Sequence, residues 1–494
     1  MKAFRLLLVS CIAYGVTGAV AAERPNIVFI LSDDLGYGDI QAYNPDSKIP
    51  TPHLDRMAAE GMRFTDAHAG GSTCKPSRYA LLSGEFAIRM LDKSDKGGPL
   101  LPEGQPTIAS LLRDNGYRTA MVGKWHLGFD QNGEKGNELL NGFSFDPENM
   151  TGGPVDRGFE SYFGMHASLD IPPYFYIDKR TATELPSTSI EASDSVGTEE
   201  NWNHIQGAFW RAGGIGSDFK HLEVTPRFCE EACKVIENHD GEKPLFLYLA
   251  LPSPHTPWVP TEEYHGKSGA GMYGDFVMQV DAVVGRVMAS LKAVGMDENT
   301  LLLFSSDNGP VWYAENTEKF SHAATGPLRG IKGSAWEGGH RMPFLARWPA
   351  RLSGGLVTNH TVAFCDVFAT FAALVGQKPL REGVARDSVS FAGLLLRPEE
   401  KLPSRPPILH DSETIRAGDW KLLTSKKGRG FGASKGVRYS PELYHLKEDL
   451  SERNNLYREH PEVVEEIGAL LESYQTEMPN AAPAPKNPKA RVKH

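Results

Sequence analysis

Asn26-Ile27-Val28-Phe29-Ile30-Leu31-Ser32-Asp33-Asp34 is the stretch on which the architecture of this chain turns. Ile27 to Leu31 are apolar without a break, and the run then stops on a serine and two aspartates. A strand with no polar face must be covered on both sides, the situation of a parallel strand between two layers of helices. The same design recurs along the chain. Thr119 to Val122 is followed by Gly123-Lys124-Trp125-His126, Pro244 to Leu251 runs on to Pro254-His255-Thr256-Pro257, and Thr300 to Ser305 is followed by Ser306-Asp307-Asn308-Gly309. Helical patterns at Thr107 to Asn115 and Phe276 to Val294 lie between these runs. Strands alternating with helices predict an α/β fold, a large domain whose central sheet is mostly parallel and flanked by helices. Ligands of such sheets bind beyond the carboxyl ends of the strands. The four run ends therefore predict one crevice that gathers carboxylates, an amide, a lysine and two histidines.

Further along, the texture changes near residue 396. Pro403, Pro406 and Pro407 read as a linker, Ile415 to Leu423 as a strand, Glu442-Leu443-Tyr444 as another, and Pro461 to Tyr474 as an amphipathic helix. This predicts a smaller C-terminal α+β subdomain with an antiparallel sheet over 396–480, after a main domain over 22–395. The tail, 481–494, is rich in Pro, Ala and Lys and is expected to be disordered. At the other end, Lys2 and Arg5 precede an apolar stretch from Leu6 to Val20 and the small residues Ala19-Val20-Ala21. That is the form of a secretory signal peptide over 1–21, so a secreted or periplasmic location is expected. The stretch is short for a bilayer span. Leu8-Val9-Ser10-Cys11 has the form of a lipidation box, but the apolar run before it is too short for that use.

Composition sets the outer bounds. Of 494 residues, 40% are hydrophobic and 23% charged, which is a folded chain rather than a disordered one. A net charge of −10 argues against a nucleic-acid binder, while a few focused cations would still admit an anionic small substrate. Beyond Cys11, the cysteines are Cys74, Cys229, Cys233 and Cys365, too few for a disulfide framework in a chain this long. Cys229 and Cys233 stand four apart on a helical pattern, where either a local bridge or two thiols fits. Cys365 lies in an apolar run and reads as core.

Asp33, Asp34, Asp307 and Asn308 offer only hard oxygen donors, which suit Ca2+ or Mg2+ rather than Zn2+. Either pair alone also fits a helix cap or a turn. In Cys74-Lys75-Pro76-Ser77-Arg78, Pro76 suits the first turn of a helix continuing through Tyr79 to Leu82. Cys74 then lies at the end of the helix that stabilises anions. On these residues alone it is an ordinary cysteine at a helix start or a thiol nucleophile with His126 or His255 as base.

Cys74-Lys75-Pro76-Ser77-Arg78-Tyr79-Ala80-Leu81-Leu82-Ser83-Gly84 resembles the signature of the type I sulfatases, within the alkaline phosphatase superfamily. The resemblance extends through Asn26 to Asp34, Gly123-Lys124-Trp125-His126-Leu127-Gly128, Pro254-His255-Thr256-Pro257, Ser306-Asp307-Asn308-Gly309, Gly330-Ile331-Lys332-Gly333 with Glu337-Gly338-Gly339, and Glu442-Leu443-Tyr444 with Asn455-Leu456. Glu85 departs from it, standing where many members carry arginine. The overall pattern is most similar to the branch of arylsulfatase A and N-acetylgalactosamine-6-sulfatase.

The resemblance implies a sulfuric ester hydrolase in which a maturation enzyme oxidises Cys74 to formylglycine (3-oxoalanine). It further implies that Asp33, Asp34, Asp307, Asn308 and the modified Cys74 hold Ca2+, with Mg2+ an alternative. Arg78 would assist ionisation of the aldehyde hydrate, Lys124 and Lys332 would neutralise sulfate oxygens, His255 would protonate the departing alcohol, and His126 would take the proton from the second hydroxyl. Sulfate monoesters repel nucleophiles, so cations around the anion and a nucleophile in place are what the chemistry requires. The implied substrate is a sulfated saccharide, with 6-O-sulfated galactose or N-acetylgalactosamine as the working assignment. Pro172 to Tyr176 and Asn201 to Trp210 suit a sugar pocket, and His166, His340 and Arg341 are candidates for specificity. Two other classes stay open: a phosphodiesterase or phosphonate monoester hydrolase of the same superfamily, and a catalytically silent glycan-binding protein. The sequons Asn149-Met150-Thr151 and Asn359-His360-Thr361 matter only in a glycosylating host.

Overall fold

The structure is a computed structural model that describes residues 24–90, 98–195, 207–377, 380–424 and 440–476. The expected signal peptide, the 481–494 tail and residues 201–206 of the Asn201 to Trp210 stretch lie outside the described residues. Eight strands carry the main sheet: β1 (Asn26–Asp33), β2 (Met62–His68), β3 (Arg118–Lys124), β4 (Ser161–Met165), β5 (Leu245–Pro254), β6 (Thr300–Ser306), β7 (Arg341–Arg347) and β8 (Leu356–Thr358). Their order is β8-β2-β7-β6-β1-β5-β3-β4, with Ile177–Asp178 and Thr181–Ala182 beyond β4 and Val362–Ala363 beside β2. β1 runs parallel to both β5 and β6, β5 to β3, and β3 to β4. Only β7 reverses the direction within the eight, antiparallel to β6 and β2. The unbroken apolar run of β1 thus sits at the centre of a mostly parallel sheet.

The two faces of β1 enter two different cores. Ile27, Phe29 and Leu31 pack with Phe246, Tyr248, Leu301 and Leu303, while Val28 and Ile30 pack with Leu247, Leu249, Leu302 and Phe304. On the first face lie α2 (Cys74–Ser83), α3 (Ile108–Asp114) and α6 (Asp366–Leu374); on the second lie α1 (Pro52–Ala59), α4 (Val224–Glu237) and α5 (Gly271–Ala293). Each large apolar side chain so buried contributes roughly 1.5–3 kcal/mol, which is why neither face of the run tolerates a polar residue. The helix expected from Phe276 begins one turn earlier, at Gly271. Cys229 and Cys233 are free thiols on α4. Among the described residues, no helix is long and apolar enough to cross a membrane.

The C-terminal part is a four-stranded antiparallel sheet in sequence order, β9 (Ile408–Asp411), β10 (Thr414–Ala417), β11 (Trp420–Leu423) and β12 (Glu442–His445). The single strand expected over Ile415 to Leu423 is in fact a hairpin, because Gly418-Asp419 turns the chain and pairs Ala417 with Trp420. Helix α7 (Pro461–Thr476) lays Ile467 and Leu471 on this sheet, and the same small core includes Phe86, Ala363 and Cys365 of the large part. A buried charge network reinforces the joint. Lys421 lies 2.9 Å from both Glu337 and Glu452, and Arg416 lies 2.7 Å from Asp66.

Candidate active site

The ends of β1, β3, β5 and β6 meet, as the strand-end rule requires. Three carboxylates and three cations interlock there, all buried. Arg78, one turn into α2, lies 2.8 Å from Asp307 and 3.4 Å from Asp33, and also donates to the Lys124 carbonyl at 3.0 Å. The Lys124 ammonium contacts Asp33 and donates to Ser168 Oγ at 2.6 Å. Lys332 reaches Asp34 at 2.6 Å, and Asn308 Nδ2 donates to the same carboxylate at 2.6 Å. Cys74 caps this arrangement: its thiol donates to Asp33 Oδ1 at 3.3 Å, with Lys332 Nζ 3.7 Å away.

Backbone geometry shows what it takes to aim these groups. Asp34 and His126 both have φ in the left-handed region, at 65° and 56°. Such conformations are costly for residues with a Cβ and concentrate at functional sites. Gly123, with φ of 115°, has to be glycine for a second reason: a Cβ there would meet the Ala250 carbonyl oxygen at 2.0 Å. That close approach of β3 to β5 brings Lys124 to Asp33. Gly309 is equally constrained, since its Cβ would lie 1.9 Å from the Gly338 oxygen, and it seats Asp307-Asn308 against the Glu337–His340 turn.

The charges set the protonation states. Burial alone would raise the Asp33 carboxyl, but Lys124, His255, Arg78 and Lys332 outweigh it and hold the group well below its usual range. Asp307 is pushed up to about 6 by burial and by Asp33, partly opposed by Arg78. Burial, Asp307 and Asp33 push the Cys74 thiol up, so an unmodified Cys74 is not a thiolate at neutral pH. This weakens a thiol-hydrolase chemistry, which depends on the thiolate. Burial and the nearby Lys124, Lys75 and Arg78 hold His126 well below the ordinary histidine range, so its ring is neutral and able to accept a proton. His255 places Nε2 3.7 Å from Asp34, and its Nδ1 lies 2.6 Å from the Thr256 carbonyl.

The residues fit a hard divalent cation. Asp33, Asp34, Asp307 and Asn308 present oxygens, and Asn308 Oδ1 is buried with no hydrogen-bond partner among the described residues. An orphaned amide oxygen beside three carboxylates is what a bound cation would satisfy. Since the three acids are already balanced by Arg78, Lys124 and Lys332, such a cation would leave the site net positive, as binding an anion requires.

Two cavities open from this floor. One is lined by Lys75, His126, Phe129, Phe143, Phe145 and His166. The other is lined by Asp34, Asp170, Phe209, Arg211, His255 and Lys332. Of the specificity candidates, His166 lines one of these two cavities, and His340 and Arg341 line neither. His340 and Arg341 belong instead to the buried joint, where Lys421 lies 3.1 Å from His340 Nε2 and Arg341 pairs with Glu337 at 3.2 Å. Apart from His166, the sequence reading missed the segment after β4. His166 accepts the His126 main-chain N–H at 3.0 Å, Ser168 holds Lys124, and Asp170 lies 3.9 Å from His255. The available signal was the polar sequence His166-Ala167-Ser168-Leu169-Asp170 directly after a strand, obscured because Ser161–Met165 is too short and mixed to stand out.

Comparison with known proteins gives the same reading. The family model described as Sulfatase matches residues 25–377. An N-acetylgalactosamine-6-O-sulfatase of Bacteroides thetaiotaomicron is 33% identical, over 92% of this chain and 94% of that protein. Human arylsulfatase A is 32% identical, over 92% of this chain and 87% of its own length. A solved structure from work on the metabolism of multiple glycosaminoglycans by Bacteroides thetaiotaomicron superposes with a TM-score of 0.78 at 32% identity, covering 92% of this chain and 100% of that one.

Proposed function

The chain belongs to the sulfatase family and is a sulfuric ester hydrolase, and from its site we propose that it removes sulfate from a sulfated saccharide by way of a formylglycine at position 74 and a bound Ca2+. The observation that carries this reading is the place of Cys74, at the first turn of α2 between Asp33 and Lys332. A nucleophile there has Lys332 beside it and Lys124 and Arg78 on the far side of Asp33, so cations surround the place of the anion it must attack. The relatives named for N-acetylgalactosamine-6-sulfate support a 6-O-sulfated galactose or N-acetylgalactosamine as substrate.

Asp33, Asp34, Asp307 and Asn308 would hold the Ca2+, with the modified residue 74 beside them and Mg2+ the alternative. Bound there, the ion would supply positive charge that polarises the sulfate. The hydrated aldehyde at position 74 would supply an attacking oxygen together with a second hydroxyl through which sulfate can be expelled. The remaining work falls to the chain's own side chains. Lys124 and Lys332 neutralise the sulfate oxygens, and Ser168 fixes the Lys124 ammonium for that purpose. Arg78 keeps Asp33 and Asp307 ionised and in register. His255 donates a proton to the departing alcohol oxygen, and the neutral His126 accepts the proton of the second hydroxyl.

The test uses protein produced with and without a formylglycine-generating or sulfatase-maturating enzyme. Peptide mass spectrometry across Cys74 should find the aldehyde or its hydrate only with the maturation enzyme, and sulfate release should follow that modification. Treatment with EGTA should abolish the release and Ca2+ should restore it. A phosphate ester of the same alcohol should turn over far more slowly. Faster phosphate than sulfate release would instead assign the site to phosphoryl chemistry, and an unmodified, active Cys74 would remove the formylglycine from the mechanism.

A further inference from the structure

We propose that Asp170 and Arg211 form the element that reads hydroxyl groups of the sulfate-bearing sugar, and so set which sugar this enzyme accepts. The inference rests on the saccharide reading above and names the residues that would enforce it. The cavity on the His255 side has Asp34, His255 and Lys332 at its floor and Asp170, Phe209 and Arg211 on its wall. If His255 protonates the departing alcohol, the sugar must extend into this cavity and meet that wall.

Asp170 is an unusual residue to find there. It is 95% buried, and a fourth carboxylate close to an anion-binding floor would repel sulfate. Its Oδ2 accepts from Arg211 Nη1 at 2.5 Å, and its main-chain oxygen accepts from the same nitrogen at 3.0 Å. Its Oδ1 is buried without a hydrogen-bond partner among the described residues, and His255 Nδ1 lies 3.9 Å from it on the cavity side. A buried acceptor left unmade is costly and calls for a donor. Sulfate has no proton to give, whereas a sugar hydroxyl has. Arg211 supplies the complementary half. One of its nitrogens is committed to Asp170, its side chain is 53% exposed at the rim, and its guanidinium lies over the Phe209 ring at 5.5 Å. A carboxylate oxygen that accepts and an adjacent guanidinium that donates match two neighbouring hydroxyls on a ring. A purely structural role accounts for less, since a half-exposed ion pair adds little to stability.

A competing role is that Asp170 orients His255, and the experiment separates the two. The quantity measured is kcat/KM on galactose 6-sulfate, on its 3-deoxy and 4-deoxy analogues, and on 4-nitrophenyl sulfate, which carries no hydroxyl beside its ester. The enzymes are the mature wild type, Asp170→Asn, Arg211→Met and the double variant. Each charge-assisted hydrogen bond lost should lower the ratio of sugar to aryl turnover by roughly 10- to 150-fold. One deoxy analogue should suffer a similar loss with wild type but little further loss with Asp170→Asn, because the hydroxyl and its acceptor are then counted once. An unchanged ratio, with both substrates slowed together and the pH profile shifted, would overturn the proposal in favour of a positioning role for His255. No change on either substrate would reduce the pair to a rim contact. The wild-type measurements stand apart from the variants: activity on the aryl sulfate alone would overturn the saccharide reading and the hydroxyl reader with it, whereas activity on the sugar with indifferent variants would overturn the reader alone.

Discussion

Cys74 is 5% exposed and its sulfur is held between Asp33 and Lys332, so its surroundings are set by α2 and β1 rather than by the thiol itself. Replacing it with alanine should therefore leave the fold in place, costing about 1 kcal/mol. Turnover should fall on the order of 10⁴-fold or more, the scale seen when a nucleophile is removed. Sulfate release and a thermal melt of Cys74→Ala check both halves of this expectation, and full activity with an unchanged melt would place the nucleophile elsewhere. Cys74, Arg78, Lys124, His255, Lys332, Asp33, Asp34, Asp307 and Asn308, which the fold brings together, and His126 beside them, stood out in the sequence because each follows a strand end or stands in a dense motif. Ser168, Asp170 and Arg211 did not. They reach the site from a loop after a short mixed strand and from a segment some forty residues away, and no local pattern records such a meeting.

At the scale of elements, periodicity placed the helices and strands well where burial is uniform, as in β1, β5 and β6. It failed where a turn is made of two residues inside a plausible run, which is why β10 and β11 read as one strand. It also says nothing about caps supplied from a distance. Thr51 precedes α1 without capping it through its side chain. The free N–H groups of His53 and Leu54 are instead accepted by Asp281 from the middle of α5, at 3.0 and 2.8 Å. Asp281 thus ties two helices on the same face of the sheet and meets the positive end of one of them. Asp281→Ala should lower stability by about 1–2 kcal/mol, and Asp281→Asn, which keeps an acceptor, by clearly less. Urea unfolding of both variants tests this; equal losses would mean that volume, not hydrogen bonding, is what the position supplies.

At the scale of the whole molecule, the joint between the large sheet and the C-terminal sheet concentrates buried titratable groups. Lys421 sits unexposed between Glu337 and Glu452, and removing one member of a buried set of charges typically costs about 3–5 kcal/mol. Lys421→Ala should show a loss of that order in thermal unfolding, with both sheets melting together because their cores share Phe86, Ala363 and Cys365. Acid should loosen the same joint. Its histidines His68, His340 and His410 are all buried and held below 6.5, chiefly by desolvation; His410 stacks on His340 at 3.6 Å, and neither of its ring nitrogens has a hydrogen-bond partner among the described residues. Elsewhere burial pushes His166 and His221 down to about 4. For a group depressed in this way, the unfolded chain takes up a proton below 6.5 that the folded chain refuses, so stability falls as pH falls. Glu452, pushed up to about 7, and Asp307, pushed up to about 6, act in the opposite sense, binding a proton when folded before they do when unfolded. The histidines held down in this way, His126 among them, outnumber the carboxyls pushed up into the same range, Glu452, Asp307 and Asp281 (about 7), so unfolding takes up protons on balance, each worth at most about 1.4 kcal/mol per pH unit. Unfolding midpoints should thus drop steadily from pH 6.5 to 5.5, and more gently in His410→Leu, which replaces one refused proton with an apolar side chain. A midpoint that stays level to pH 5.5 would mean that these rings are protonated and paired in the folded joint, with Glu337 and Asp66 as their partners.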